Sequence, residues 1–125
     1  LGVKNECSDW LFDFTIIGEP ASKANSRVWR GPGRLIKSPK AVAYAQAFSW
    51  QCPAIDPLIT EDVAVEVTIW YASRRPDLDP SLILDGLQNK IIKNDRQVKE
   101  LHCYHELDTK NPRARIRIRK HPPPP

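Results

Sequence analysis

Alternation with a period of two is the strongest constraint on how this chain can fold. From Arg113 to Arg119 the residues alternate without a break. Four arginines fall on one side, and Ala114, Ile116 and Ile118 on the other. Successive strand side chains point to opposite faces, so this segment reads as a strand with an apolar face on a core and a cationic face outward. Val63, Val65, Val67 and Ile69 obey the same rule within residues 62–71, opposite Ala64, Glu66, Thr68 and Trp70. Trp10, Phe12, Phe14 and Ile16 do so within residues 10–17. A further strand is expected over 96–107, followed by a turn over 108–112.

The pattern between these strands changes to helical signals. Ser38-Pro39 is a strong helix start, with Ser as the cap and Pro at the first helical position. The alanine-rich run to Gln51 follows, with Ala41, Tyr44, Ala45 and Phe48 as its apolar stripe. A second helix is expected from about Pro80 to Lys90, with Leu84, Leu87 and Ile91 inward. Gly86 within it costs about 1 kcal/mol of helix propensity. Gly31-Pro32-Gly33 makes a tight turn inside a short basic hairpin, 27–30 against 34–37. The order strand, hairpin, helix, strand, helix, strand, strand is an α+β fold, with two helices packed on one face of a mixed or antiparallel sheet.

With 125 residues, the chain is one domain in size, expected over 1–121 with a proline-rich tail at 122–125. Hydrophobic residues make up 41%, too many for a disordered tail. No apolar run approaches the ~20 residues of a membrane span. Residues 10–17 are interrupted by Asp13 and do not resemble a signal peptide. The lack of any Met, even at position 1, is expected of a processed or trimmed chain. Cys7, Cys52 and Cys103 are odd in number and widely spaced, which points to a reducing cytoplasm rather than a disulfide framework. His102, Cys103 and His105 are close in sequence. Without a second close pair they read as strand residues rather than zinc ligands.

The net charge of +4 hides a sharp partition. Residues 22–51 contain Lys23, Arg27, Arg30, Arg34, Lys37 and Lys40 and no acid. Such a segment favours a polyanion such as DNA. Trp29 beside its turn either stacks on a base or packs in the core. The arginine face of 113–119 has two readings, charge protection of an edge strand or phosphate contact.

The chemistry concentrates in Arg74-Arg75-Pro76-Asp77-Leu78-Asp79-Pro80. In an extended chain Asp77 and Asp79 point the same way. Two carboxylates about 4 Å apart repel by about 4 kcal/mol at an effective dielectric near 20, so the pair requires a proton, an arginine or a cation. An all-oxygen donor set favours Mg²⁺ or Mn²⁺, and such metals beside basic segments suit phosphodiester hydrolysis. Asp95 joins the pair if the strand after it lies beside residues 62–71. The plainer reading is that Asp79 caps the helix at Pro80 and Asp77 pairs with Arg74 or Arg75. Pro76-Asp77 with Asp108-Thr109-Lys110 also resembles a PD-(D/E)-x-K pattern, but 108–112 reads as a turn.

Five ordered pieces resemble the RusA-type crossover-junction endonucleases of phages and prophages. They are Gly18 to Arg27, Lys37 to Ala41, Arg75 to Asp79, Leu84-Asp85-Gly86-Leu87, and Asn94 to Val98. The resemblance spans about residues 12–119. It implies a homodimeric, Mg²⁺-dependent nuclease, with Mn²⁺ as a substitute, that cuts four-way (Holliday) DNA junctions in pairs. It further implies that Asp77, Asp79 and Asp95 are catalytic metal ligands. Paired cuts on a four-way junction call for two equivalent sites. The expected DNA contacts are Lys23, Asn25, Arg27, Arg30, Arg34, Lys37, Arg74, Arg75, Lys93, Arg115 and Arg117, and the expected setting is a bacterial cytoplasm. Two departures stand out. Pro80 replaces the usual Asn after the second aspartate, and the 81–84 stretch lacks the lysine of the best-known member. Lys23, Lys90 and Lys93 are the candidates to replace it. A non-catalytic, degenerate junction-binding protein is the alternative these departures suggest.

Overall fold

The computed structural model describes residues 10–22, 27–29 and 35–122, with 27–29 and 35–37 described by backbone alone. Six strands and two α-helices follow in the order β1 (Trp10–Ile17), β2 (Arg27–Trp29), β3 (Leu35–Lys37), α1 (Pro39–Gln51), β4 (Val63–Tyr71), α2 (Ser81–Leu87), β5 (Val98–Leu107) and β6 (Arg113–Lys120). The main sheet has the order β1-β6-β4-β5. β6 runs antiparallel to both β1 and β4, whereas β4 and β5 are parallel. The sheet is therefore mixed. Parallel neighbours need a crossover, and α2 supplies it. β2 and β3 form a separate antiparallel pair, Arg27 opposite Lys37 and Trp29 opposite Leu35. The Gly31-Pro32-Gly33 turn lies outside the described residues, as do Lys23, Asn25, Arg30, Arg34 and Cys7.

Alternation places the core. Ile16, Val63, Val65, Val67, Ile69, Ala114, Ile116 and Ile118 all face one side of the sheet and are buried. Both helices cover that side, through Tyr44 and Phe48 of α1 and Leu82, Ile83 and Leu87 of α2. Burying the larger of these side chains contributes roughly 1.5–3 kcal/mol each. Ser38 caps α1 as expected, its hydroxyl accepting the Ala41 N–H at 3.2 Å. Ala45 turns out to be exposed, so the buried stripe is Ala41, Tyr44 and Phe48. The helices touch where Gly86 meets Phe48. A Cβ at Gly86 would stand 2.5 Å from Phe48 Cδ1. The glycine's propensity cost is thus offset by a close helix contact.

Two boundaries differ from the expectation. α2 stops at Leu87, not Lys90, because the Leu87 carbonyl accepts the N–H groups of Lys90, Ile91 and Ile92 together. Asn89 enters the left-handed region at φ 69°. That turn buries Ile91 and Ile92 completely. Leu84 is only partly buried. β5 begins at Val98 rather than Arg96, because Asp95–Gln97 forms a short 3₁₀ turn. Buried Gln97 ties this turn down. Its Oε1 accepts the Lys93 and Asn94 N–H groups, and its Nε2 donates to the Ile59 and Glu61 carbonyls.

The open face of the sheet corrects one expectation. β6 is internal, between β1 and β4, so its arginines do not protect an edge. Each has a carboxylate partner instead. Arg113 meets Asp108 at 2.8 Å, Arg115 grips Asp13 in a two-pronged pair at 2.8 and 2.6 Å, Arg117 meets Glu66 at 2.8 Å, and Arg119 meets Glu100 at 3.2 Å. Arg113 also lies over the Trp70 ring and Arg117 over the Trp10 ring, each 4.1 Å from the centroid. The anions that keep these like charges together are the protein's own. Arg115 holds the Asp13 carboxyl below its ordinary value.

Candidate active site

The acidic loop leaves the end of β4 and returns into α2. Its shape is set from below by Tyr71, which is 1% exposed. The Tyr71 hydroxyl donates to the Asp77 carbonyl at 3.2 Å and accepts the Asp79 N–H at 3.3 Å. One side chain thereby fixes the backbone of both aspartates. Burial raises the Tyr71 pKa, so the hydroxyl remains a donor at neutral pH. His105 adds a second tie, its Nε2 lying 3.0 Å from the Pro76 carbonyl and its ring 4.4 Å from the Tyr71 ring. Glu19, just beyond β1, accepts the Ala72 N–H at 2.7 Å. Three elements, β1, β4 and β5, therefore hold one loop.

The two aspartates differ in their surroundings. Asp79 is half-buried. Its Oδ1 accepts the Ser81 N–H at 2.9 Å and also the Ser81 hydroxyl, and its Oδ2 accepts the Ser22 hydroxyl at 3.3 Å. The expected local role at the start of α2 is thus real, although Pro80 itself is the cap residue. Asp77 is exposed, and its carboxylate has no hydrogen bond or ion pair among the described residues. The expected pairing of Asp77 with Arg74 or Arg75 does not form. Asp77 lines a cavity of about 220 Å³ together with Glu19, Ser22, Lys40 and Arg75. Asp79 reaches the same cavity wall through Ser22. On its other side Asp77 borders an open hollow of about 530 Å³ with Arg74, Leu78 and His105.

Asp95 lies elsewhere. β5 does pair beside β4, but parallel, with Val98 opposite Val63 and Leu107 opposite Tyr71. Asp95 therefore stands where β4 begins, and Asp77 and Asp79 follow where it ends. Eight strand steps of about 3.3 Å separate the two ends of β4. Among the described residues no three His, Cys, Asp or Glu side chains come together to hold a metal ion. Lys93 adjoins Asp95 in the Gln97-tied turn. Lys90 lies near Cys52, at the end of α1. Lys40, read from sequence only as part of the basic segment, is the described lysine on the Asp77 cavity. His102 sits 2.7 Å from Glu100 on the open face, and Cys103 packs against the core.

The donors fit a hard cation. Asp77 and Asp79 offer only oxygen, one carboxylate is uncommitted, and serines hold the other in place. Mg²⁺ is commonly held by one or two carboxylates with water and substrate phosphate completing its shell. Glu19, Ser22, Tyr71 and His105 are not expected at the site from sequence: Glu19 and Ser22 lie in the Gly18–Arg27 piece without a role assigned to them, and His105 reads as a strand residue.

An α+β domain with a braced acidic loop beside basic side chains defines a class of protein suited to acting on phosphodiesters. The chain belongs to the endodeoxyribonuclease RusA family, whose model matches residues 18–119. No curated protein matches the chain closely.

Proposed function

We propose that the protein is a divalent-metal-dependent endonuclease that resolves four-way DNA junctions by paired cuts. The observation that carries this reading is the uncommitted Asp77 carboxylate, held beside Asp79 on a loop braced by Tyr71, His105 and Glu19. Asp77 and Asp79 would hold Mg²⁺, or Mn²⁺ in its place. When bound, the ion supplies an activated water and stabilises charge on the leaving oxygen. Ser22 and Ser81 keep Asp79 oriented, and Tyr71 keeps the two aspartates in fixed relation. Lys40 and Arg75 offer positive charge where a phosphate would enter.

Arg74, Arg75 and Lys93 are exposed, and with the basic segment Lys23, Asn25, Arg27, Arg30, Arg34 and Lys37 they are the proposed DNA contacts. Arg115 and Arg117 are engaged with Asp13 and Glu66, which argues for a structural role. A homodimer supplies the two equivalent sites that paired cuts need. In this reading Asp95 joins a metal site only as Asp95 of the partner subunit. No helix among the described residues is long and apolar enough to cross a membrane. The proposed setting is the cytoplasm of a bacterial host, with a phage or prophage source.

The test is a labelled four-way junction with Mg²⁺, beside linear duplex. Wild type is expected to nick the junction, EDTA to abolish nicking, and Asp79→Asn to lose about 100-fold or more, since even outer-shell changes at metal sites cost 10–100-fold. Equal rates for wild type and Asp79→Asn would refute the reading. Tight, salt-sensitive binding without nicking in either metal would establish the non-catalytic alternative, which Pro80 in place of Asn favours.

A further inference from the structure

α1 turns Ala41, Tyr44 and Phe48 into the core. Lys40, Ala43, Ala47 and Trp50 follow one another at steps of three and four, so they form a second row, directed away from the core. The row begins at the Asp77 cavity, which Lys40 lines together with Arg75. It ends in a hollow of about 260 Å³ lined by Ala43, Gln46, Ala47 and Trp50. Trp50 is 89% exposed, more than any other large apolar side chain described. Trp10 and Trp70 lie under arginines, but among the described residues no ring or cation lies over Trp50. Its indole presents a wide, flat apolar face to whatever enters the hollow.

We propose that this face of α1 is a track for an unpaired DNA strand, with a base stacked on Trp50 and a backbone phosphate at Lys40. Charge favours this occupant. Residues 22–51 contain no acid, so nothing on α1 repels a phosphate. Continuity favours it too, because the row leads out of the cavity where a phosphate would enter for hydrolysis. Alanines keep the middle of the path clear, and Gln46 offers both a donor and an acceptor to a base edge. From Lys40 to Trp50 the helix rises about 15 Å, roughly four nucleotides at a stacked spacing of about 3.4 Å. The strand must be unpaired. Bases inside a duplex are already stacked on both faces, whereas a free base can lie flat on an indole. The track therefore gives the protein a preference among branched DNAs for those with unpaired nucleotides beside the cut.

This preference deepens the nuclease reading and rests on it, so strand binding is measured in EDTA, apart from nicking. The probe is an oligothymidylate of about eight nucleotides, within the usual range of single-strand sites. Wild type is expected to bind it with quenching of tryptophan fluorescence. Trp50→Ala should weaken binding about 10-fold or more and reduce the quenching, the usual effect of losing one stacked base. Trp50→Phe should recover most of the affinity, because a flat ring remains. Lys40→Gln should lower the slope of log K against log salt by about 0.7, one phosphate contact on a single strand. A four-way junction with a short gap at its crossover should bind more tightly than a fully paired one, and Trp50→Ala should erase that difference. Equal affinity and quenching in wild type and Trp50→Ala, a Phe variant no better than Ala, or an unchanged salt slope in Lys40→Gln overturns the proposal. So does a change in sedimentation of Trp50→Ala with strand affinity intact, which would assign the face to a second copy. Nicking without strand affinity removes the track and leaves the nuclease reading standing. Strand affinity without nicking in Mg²⁺ or Mn²⁺ does the reverse.

Discussion

Replacing Tyr71 with Phe tests whether the loop brace is functional or merely structural. The ring stays, so its packing against the core and His105 is preserved. Only the hydroxyl is lost, and with it one bond to the Asp77 carbonyl and one from the Asp79 N–H. Each such bond contributes about 0.5–1.5 kcal/mol net, so a loss of about 2 kcal/mol is expected. For a domain between the usual size classes that is a fall in Tm of roughly 6–10 °C. The effect on nicking should be larger than stability alone predicts. A displacement of about 1 Å in a reacting group can cost about 100-fold. Junction nicking at saturating Mg²⁺, assayed well below the lowered Tm, should fall about 10–100-fold. Junction binding, measured by gel shift, should be unchanged. Wild-type nicking with the lowered Tm would refute the claim that this hydroxyl positions the aspartates. An unchanged Tm would refute the hydrogen bonds themselves.

Gly86→Ala should destabilise by about 1–2 kcal/mol net in urea unfolding, because overpacking against Phe48, up to about 3 kcal/mol, exceeds the ~1 kcal/mol gain in helix propensity. A stabilised variant would show that α1 and α2 separate freely. Asp13→Asn should lower stability at pH 7 by less than about 1 kcal/mol, as Asp13 and Arg115 are both more than a third exposed. Arg115 depresses the Asp13 pKa, so its contribution is full above the unfolded value near 3.8 and vanishes as pH falls through the folded value. The difference between wild type and variant should therefore close in urea titrations near pH 2.

Much of this architecture was legible because alternation is a local signal. β1, β4 and β6 stand where residues 10–17, 62–71 and 113–119 placed them, and Ser38-Pro39 starts α1 as chemistry requires. The misplaced boundaries have non-local causes. α2 is cut short by the burial of Ile91 and Ile92, and Gln97 reaches to Ile59 and Glu61, neither of which leaves a trace in adjacent residues. The direction of β5 was equally hidden. Period two fixes which side chains share a face, not whether neighbours run parallel, and that direction decides which end of the sheet receives Asp95. Asp77 and Asp79 were visible as neighbours in sequence. Their supports, Glu19 and Tyr71 among them, converge only in space.

The paired arginines of β6 also shape what an approaching polyanion meets. Along that strand each of the four arginines has a carboxylate within about 3.2 Å, so seen from beyond a Debye length of about 8 Å the open face is close to neutral. The protein's long-range attraction must therefore originate in its loops and in the segment before α1. One side of the sheet is a stiff, electrically quiet plate, and the molecule is polarised by where its charges remain unmatched rather than by how many it has.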